Sequence, residues 1–225
     1  MPTYDIGGTE CLLLTRDDAS SWVVYCHGNS VTLSDLYESS IPQTIVEQCN
    51  CNFVAPAYPD KSEYGSEYDS KVIEHVRNAY DQIRQDNNAN VYVVGRSVGV
   101  GIALQMCSQA APAGLMLISG FTSVNSLAPW PVRWALPTRL DNLAALQSFK
   151  GVPKLILHGD NDDLIPVEHA KCMYNSTDNA TIKLVPGMTH VPTPDNINAM
   201  CAQMRSFMSN NTHVQCTHHY LLWTR

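Results

Sequence analysis

The feature that most constrains this chain is residues 91–101, where an apolar run meets a motif of glycine and serine. The run Val-Tyr-Val-Val is typical of a buried parallel strand, and the residues from Val98 onward have the apolar pattern of a helix. Between them, Gly95–Gly99 reads Gly-Arg-Ser-Val-Gly, which predicts a sharp strand-to-helix turn that presents the hydroxyl of Ser97. A Cβ at either glycine would collide with the neighbouring strand or helix, and we expect the turn itself to be strained.

Ser97 stands at the predicted N-terminus of that helix. Free backbone N–H groups and the helix dipole favour a developing negative charge at such a position. A serine in front of a helix is otherwise most often only its N-cap. The motif therefore has two interpretations, and the rest of the chain has to distinguish a catalytic serine from a capping one.

Strands and helices alternate along the remainder of the chain. Short apolar runs predict strands at residues 10–15, 22–26, 52–56, 91–94, 114–118, 152–157 and 180–185. Apolar residues at helical spacing predict helices at residues 33–48 (broken near Pro42), 68–84, 98–107, 141–149, 167–175 and 195–208. This order predicts an α/β fold, with a mostly parallel, doubly wound sheet and helices on both faces. The chain before Trp22 leaves room for one strand.

A chain of 225 residues without an internal repeat or a linker-like segment is expected to form a single domain. We place its core at about residues 10–208 and a C-terminal tail at residues 209–225. Residues 122–137 carry three prolines and two tryptophans without clean periodicity. We therefore expect a loop or a small cap in that segment.

The charge and apolar patterns exclude several classes of function. The chain has 14 basic and 21 acidic residues, a net charge of −7, and no two basic residues are adjacent. Nucleic acid and anionic membrane surfaces are therefore not expected partners. The longest apolar stretches fall short of a membrane span and the N-terminus lacks the features of a signal peptide, so we expect no transmembrane segment and a cytoplasmic location. In that compartment the eight cysteines are expected to be free thiols.

Polar residues of chemical interest follow directly after the predicted strands. Ser97 comes first, an acidic loop with Asp160, Asp162 and Asp163 comes later, and His190 follows the last predicted strand. An open α/β sheet places its ligand crevice at the carboxyl ends of its strands. The order of serine, acid and histidine is the order in which α/β-hydrolase sheets carry a catalytic triad.

The chain resembles the α/β-hydrolases of the serine-hydrolase superfamily, and within them the small-capped group of Bem46-like, ABHD17-type and ABHD13-type hydrolases. The resemblance extends from about residue 22 to residue 208 and is carried by five segments in matching order: His27–Asn29, Gly95–Gly99, Arg139–Leu143, His158–Pro166 and Gly187–His190. It implies the α/β-hydrolase fold with a minimal cap, and a serine hydrolase activity.

The resemblance implies Ser97 as the nucleophile and His190 as the general base. Asp162 is implied as the acid, since it occupies the acidic position of the pattern His-Gly-x-x-Asp-x-x-Ile-Pro. Spacing alone leaves Asp160 and Asp163 as alternatives, because a turn can direct any of the three carboxylates toward the base. A neutral imidazole would take the serine proton as the hydroxyl attacks, and the carboxylate would hold its tautomer and offset its charge.

The same resemblance implies an oxyanion hole made by the backbone N–H groups of Asn29 and Val98. An ester or thioester would acylate Ser97, and water activated by His190 would release the acid without a metal or an organic cofactor. The expected substrate is a small molecule or an acylated protein, and the oligomeric state is left open. The alternatives are a non-catalytic hydrolase-fold binding protein and a serine peptidase.

Other candidate residues have more ordinary interpretations. We expect His27 to shape the oxyanion loop, His158 to pack or hydrogen-bond locally, and Asp141 to cap a short helix. Residues 58–68 and 121–134 either line an acyl pocket or simply cover the core. The tail at residues 213–219 has the residue types of a metal site, but short tails of this kind are more often unstructured, and no metal is expected.

Overall fold

The strands form one eight-stranded sheet, which is the centre of the fold. The computed structural model describes residues 1–86, 89–106, 111–128 and 139–211. The strands are β1 (Thr3–Ile6), β2 (Thr9–Leu14), β3 (Ser21–Cys26), β4 (Asn52–Pro56), β5 (Asn90–Arg96), β6 (Gly114–Ile118), β7 (Lys154–Gly159) and β8 (Ala180–Val185). Their spatial order is β1-β2-β4-β3-β5-β6-β7-β8, with β1/β2 and β2/β4 antiparallel and the remaining pairs parallel. The carboxyl ends of β3 to β8 therefore meet at one edge of the sheet.

The sheet begins with a hairpin that the sequence did not predict. β1 and β2 are joined by Gly7 and Gly8, which have φ angles of +62° and +77°. Two positive φ angles in a row are what a tight two-residue hairpin turn requires. The expectation of one strand before Trp22 was wrong, and the sheet begins before residue 10. The sequence pattern does not predict β1, because β1 is a partly exposed edge strand without an apolar run.

Helices cover both faces of the sheet. They are α1 (Leu33–Glu38), α2 (Ile41–Cys49), α3 (Lys61–Tyr64), α4 (Tyr68–Asp86), α5 (Val98–Met106), α6 (Asn142–Leu146), α7 (Glu168–Asn175) and α8 (Pro194–Asn211). α1, α2 and α8 pack on one face, and α4 to α7 pack on the other. In β3, Val23 and Tyr25 face the first layer while Val24 and Cys26 face the second, as alternation along a strand requires. This is the doubly wound arrangement that the sequence predicts.

Two helix boundaries differ from expectation. The helix expected over residues 33–48 is divided into α1 and α2 at Ser39 and Ser40, and Ser40 has a φ of +60°. Pro42 then lies in the first turn of α2, which tolerates a residue without an N–H. At the other end, α8 continues to Asn211 and includes residues 209–211, which we assigned to the tail.

Lys154 at the start of β7 is buried inside the protein. Its Nζ donates to the carbonyls of Phe149 (2.6 Å), Val152 (2.8 Å) and Asp178 (3.1 Å). The carboxylate of Asp178 lies 3.4 Å from the same nitrogen but is exposed, so solvent weakens that attraction. The lysine therefore acts mainly as a donor that ties the segments before β7 and β8 together.

Several expectations fall outside the described residues. The tail at residues 213–219 is one, and residues 129–138, the larger part of the expected loop or cap, are another. Within the described ranges, no helix is both long and apolar enough to cross a lipid bilayer. The six described cysteines are free thiols, and all but Cys172 are buried.

Candidate active site

Ser97 occupies the sharp turn between β5 and α5 with a φ of +56°, a strained conformation for a residue other than glycine. A Cβ at Gly95 would lie 2.6 Å from the carbonyl oxygen of Gly99. A Cβ at Gly99 would lie 2.7 Å from the carbonyl oxygen of His27 and closer still to that of Cys26. Because these obstacles are backbone atoms, they cannot move aside as a side chain would. The steric prediction for the two glycines is confirmed.

Backbone hydrogen bonds hold this turn in place. The N–H of Ser97 donates to the carbonyl of Ile118 at the end of β6 (2.9 Å), and the carbonyl of Ser97 accepts from the N–H of Val100 (3.0 Å). Val98 is the first residue of α5, so its N–H has no acceptor within the helix. A backbone donor at the positive end of a helix dipole thus follows the serine directly.

Three side chains from three strand ends form a hydrogen-bonded chain. Nε2 of His190 lies 3.2 Å from Oγ of Ser97. Nδ1 of His190 lies 3.0 Å from Oδ2 and 3.2 Å from Oδ1 of Asp162. The side chain of Asp162 is fully buried, and that of His190 is 13% exposed. The acid is therefore shielded from water, whereas Ser97 itself is only half-buried.

The hydrogen-bond partners assign the tautomer of His190. An ionised carboxylate only accepts hydrogen bonds, so Nδ1, which faces Asp162, carries the proton. Nε2 then directs its lone pair toward the hydroxyl of Ser97. In this arrangement a neutral imidazole is able to take the serine proton.

Backbone N–H groups keep Asp162 ionised. Its Oδ1 accepts from the N–H of Ile165 (2.8 Å) and from that of Leu164 (3.1 Å). Burial by itself raises the pKa of Asp162, but the hydrogen bonds from the N–H of Ile165 and from the ring of His190 outweigh burial and lower the pKa below its usual value. The carboxylate is therefore negatively charged at neutral pH.

The other two acids of the loop lie elsewhere. Asp160 is exposed and accepts from the N–H of Gly187 (2.7 Å), in the loop that precedes His190. Asp163 is exposed as well. Spacing left three candidates for the acid that faces His190, and the resemblance implied Asp162. Asp162 is the acid whose carboxylate the structure brings into contact with His190.

His158 and Asp141 have local roles of the kind that the sequence predicts. His158 is buried, and its Nε2 donates to the carbonyl of Ile165 (2.8 Å). The same nitrogen lies 3.6 Å from Oδ2 of Asp162, a contact that the sequence did not reveal. Asp141 accepts from the N–H of Ala144 (3.0 Å) and caps α6.

The loop after β3 passes beside the serine. His27 is buried, its Nδ1 donates to the carbonyl of Gly28 (3.1 Å), and its ring stacks on that of Tyr58 with 3.7 Å between centroids. The Tyr58 hydroxyl donates to the carbonyl of His27 (2.9 Å). Burial lowers the pKa of His27, so its ring is neutral at neutral pH. A Cβ at Gly28 would lie 3.8 Å from Cβ of Ser97, so the loop that continues into Asn29 lies against the serine.

A cavity of about 450 Å³ opens beside this loop. Its lining combines aromatic and apolar side chains with hydroxyls and one carboxylate, and includes Glu10, His27, Val31, Leu33, Tyr58 and Tyr68. The sequence left open whether residues 58–68 line a pocket or cover the core. The two tyrosines at the ends of that segment line the cavity.

Sequence reasoning missed the contact made by Arg96. Its Nη2 donates to the backbone carbonyl of His190 at 2.6 Å. The two residues are 94 positions apart, so no local pattern predicts the contact. The one available signal was the position of Arg96 directly before Ser97 in the glycine-serine motif.

Sequence comparisons identify distant relatives but no family. No protein-family model matches the sequence. Two uncharacterized proteins from two strains of Mycobacterium tuberculosis are 29% identical to it over 108 residues. That stretch covers 45% of this chain and 38% of each relative, so the chain spans well under half of the relatives' length.

Solved structures share the fold at low sequence identity. Est1E from Butyrivibrio proteoclasticus matches with a TM-score of 0.74 and 14% identity over 94% of this chain and 99% of that chain. A hormone-sensitive lipase from a metagenome library matches with a TM-score of 0.74 and 17% identity, over 93% of this chain and 84% of that chain. Dienelactone hydrolase from Anabaena variabilis matches with a TM-score of 0.70 and 13% identity, over 94% of this chain and 96% of that chain. This chain has the α/β-hydrolase fold. The predicted fold is confirmed, and the Bem46-like, ABHD17-type and ABHD13-type subgroup stays a prediction.

Proposed function

We propose that this protein is a serine hydrolase that cleaves carboxylic esters or thioesters through an acyl-enzyme on Ser97. The observation that carries the proposal is the continuous hydrogen-bonded path from Oγ of Ser97 through the ring of His190 to the buried carboxylate of Asp162. His190 lies 93 residues from the serine and 28 from the acid, so the fold has to bring them together. A hormone-sensitive lipase and a dienelactone hydrolase with the same fold support a hydrolytic reaction.

The geometry supports a two-step reaction. Oγ of Ser97 attacks the carbonyl carbon while Nε2 of His190 takes the hydroxyl proton, and Asp162 stabilises the imidazolium. The tetrahedral intermediate collapses, and the alcohol or thiol leaves with the proton from His190. Water then attacks the acyl group as His190 takes its proton, and the acid departs as Ser97 regains its own proton. These steps need no metal and no organic cofactor.

We assign the oxyanion hole to the backbone N–H groups of Val98 and Asn29. Val98 begins α5, and Asn29 follows Gly28, which lies against Ser97. Because the donors are backbone groups, Asn29→Ala is expected to keep kcat within about 3-fold of the wild-type value. Asn29→Pro removes the N–H and is expected to lower kcat about 100-fold. Equal activity in the two variants would contradict the assignment of Asn29.

The cavity beside the oxyanion loop is lined by His27 but not by Ser97, so it is suited to hold a part of a small substrate other than the reacting carbonyl. Its volume of about 450 Å³ is in the range of ordinary ligand pockets, and its wall is partly aromatic. Est1E, which shares the fold, is described with ferulic acid bound, an aromatic acid. An ester of a short or aromatic acid is therefore the preferred substrate class, and an acylated protein is the other. Rates on p-nitrophenyl esters from acetyl to palmitoyl, with a cinnamoyl ester and a matched thioester, separate these possibilities.

A serine peptidase is the second candidate, favoured by one observation. The carboxylate of Glu10 belongs to the cavity lining and would attract a substrate amine. Hydrolysis of an amino-acid p-nitroanilide that is lost on acetylating the amine, and lost in Glu10→Gln, would favour the peptidase over the esterase.

Labelling by a fluorophosphonate probe tests the nucleophile. The wild-type protein should be labelled, and Ser97→Ala and His190→Ala should each abolish the labelling. Ser119→Ala is the matched control, because Ser119 follows the neighbouring strand β6 at the same sheet edge with a similar φ of +47°. Labelling that survives Ser97→Ala would show that the nucleophile is assigned wrongly. A folded wild-type protein that is never labelled would favour the non-catalytic binding protein.

A further inference from the structure

Arg96, the last residue of β5, lies between the two loops that flank Ser97. Its Nη2 donates to the carbonyl oxygen of His190 at 2.6 Å. On the other side, a Cβ at Gly28 would lie 3.8 Å from Nη1 of Arg96, so the guanidinium packs close to the oxyanion loop. One side chain therefore connects the serine turn, the loop of the base and the oxyanion loop.

The charge of Arg96 has no acidic partner within the described residues. Arg16 and Arg139, by contrast, pair with Asp18 and Asp69 at 3.0 and 2.7 Å. The guanidinium of Arg96 is half-buried, and no ion pair in the described residues accounts for its position. Its hydrogen bond to a carbonyl is charge-assisted and stronger than a neutral one, and here it acts on the main chain of the base.

We propose that Arg96 is a positioning residue, which holds the main chain of His190 so that Nε2 stays within hydrogen-bonding distance of Ser97. The proposal rests on the serine hydrolase function proposed above. His190 lies on a loop, and the Nε2–Oγ distance of 3.2 Å is already at the long end for a hydrogen bond. A shift of the loop by about 1 Å would break that bond, and misplacement of this size lowers a reaction rate about 100-fold.

The size and shape of the guanidinium matter to this role. Nη2 donates to the carbonyl of His190, and Nη1 packs near Gly28, where an added Cβ would lie 3.8 Å from it. A lysine also carries a positive charge and can donate to the carbonyl, but its single terminal nitrogen lacks the planar group that packs beside Gly28. Arg96→Lys is therefore expected to recover part of the activity that Arg96→Met loses.

Steady-state kinetics on p-nitrophenyl acetate tests the proposal. Arg96→Met should lower kcat about 30- to 100-fold with KM within about 3-fold, and Arg96→Lys should lower kcat about 10-fold. Arg84→Met is the matched control, because Arg84 also donates to a backbone carbonyl, that of Ala111 (3.2 Å), away from the serine. Its kcat should stay within about 2-fold of the wild-type value. A raised KM with an unchanged kcat in Arg96→Met would overturn the proposal, since Arg96 would then contact substrate.

Hydrogen exchange provides a measurement that does not depend on activity. Amides of residues 187–191 and of Thr193 should exchange at least about 10-fold faster in Arg96→Met than in the wild-type protein or in Arg84→Met. Equal exchange in the three proteins would overturn the proposal. If the wild-type protein neither hydrolyses esters nor takes the probe, the proposed function fails, and exchange alone decides whether Arg96 holds the loop. If Arg96→Met does not fold, Arg96→Lys and Arg96→Gln are measured in its place against the same criteria.

Discussion

Replacing Asp162 with asparagine isolates the charge of the acid, because the two side chains have nearly the same shape. In the native protein Oδ1 accepts from Leu164 and Ile165, and Oδ2 faces Nδ1 of His190. Asparagine keeps its oxygen toward the two backbone donors, because turning it would set the NH₂ group against both. The NH₂ group then faces His190, whose Nδ1 becomes an acceptor. The ring proton moves to Nε2, where it blocks proton transfer from Ser97.

The size of the effect follows from the hydrogen bonds that the productive tautomer would lose. With Nδ1 protonated, two donors would face each other in a buried site. With the amide turned instead, two backbone N–H groups would lose their acceptor. Each buried polar group left without a partner costs about 1–3 kcal/mol. A total of about 3–5 kcal/mol corresponds to a rate loss of about 10²–10⁴-fold, so we expect kcat/KM of Asp162→Asn to fall about 10³-fold.

The assay combines kinetics with nitrogen NMR. kcat/KM is measured on a p-nitrophenyl ester, and the ¹⁵N shifts of the His190 ring should change from the Nδ1–H to the Nε2–H tautomer in Asp162→Asn. Asp163→Asn is the control, because Asp163 is the adjacent, exposed acid of the same loop. It should keep kcat/KM within about 3-fold. The reasoning is refuted if folded Asp162→Asn retains its activity, or if its ring keeps the Nδ1–H tautomer.

Three further predictions concern the serine turn, the buried lysine and the response to pH. Gly99→Ala should lower the free energy of unfolding by about 1–3 kcal/mol and slow probe labelling, because its Cβ would meet backbone carbonyls. Lys154→Met should cost about 2–4 kcal/mol in urea unfolding, since three carbonyls lose the ammonium group that donates to them at 2.6, 2.8 and 3.1 Å. Tm should fall as the pH decreases from 7 to 5, because burial lowers the pKa of His27 in the folded state and the unfolded chain binds more protons below its ordinary pKa of about 6.5. His27→Gln should reduce that slope.

Matched control variants distinguish the first two of these effects from an unspecific loss of stability on mutation. Gly120→Ala places its Cβ against the side chain of Val100, which is able to adjust, and should destabilise less than Gly99→Ala. Lys183→Met removes an exposed lysine and should leave the urea midpoint nearly unchanged. A control that changes as much as its partner would contradict the corresponding argument.

The alternation of strands and helices was predictable because buried parallel strands are continuous apolar runs. β6 and β8 have the bounds that the sequence predicts, residues 114–118 and 180–185. β1 was not predictable from such runs, because only a strand covered on both faces needs one. The division between α1 and α2 was missed for a similar reason. The apolar spacing of a helix continues across Ser39 and Ser40. The break depends on the positive φ of Ser40, which the spacing of apolar residues does not reveal.

The candidate site was also predictable only in part. The residue types and their order after successive strands pointed to Ser97 and His190, since strand ends in a parallel sheet share one edge. The same reasoning left three acids in one loop, because the direction of a side chain on a turn depends on the path of the loop. That path is set here by contacts with His158, Ile165 and Gly187.

By itself, the sequence determined the sharp turn at Ser97 and the edge of the sheet at which Ser97, Asp162 and His190 lie. The turn depends on steric contacts at Gly95 and Gly99, and the glycines in the motif predict those contacts before the fold is known. Only the tertiary structure shows that the carboxylate of Asp162 contacts the ring of His190 and that the guanidinium of Arg96 donates to the main-chain carbonyl of His190. Those contacts join segments 28 and 94 residues apart, and a hydrogen bond is lost within about 1 Å of displacement. Such placement comes from the packing of both helical layers on the sheet.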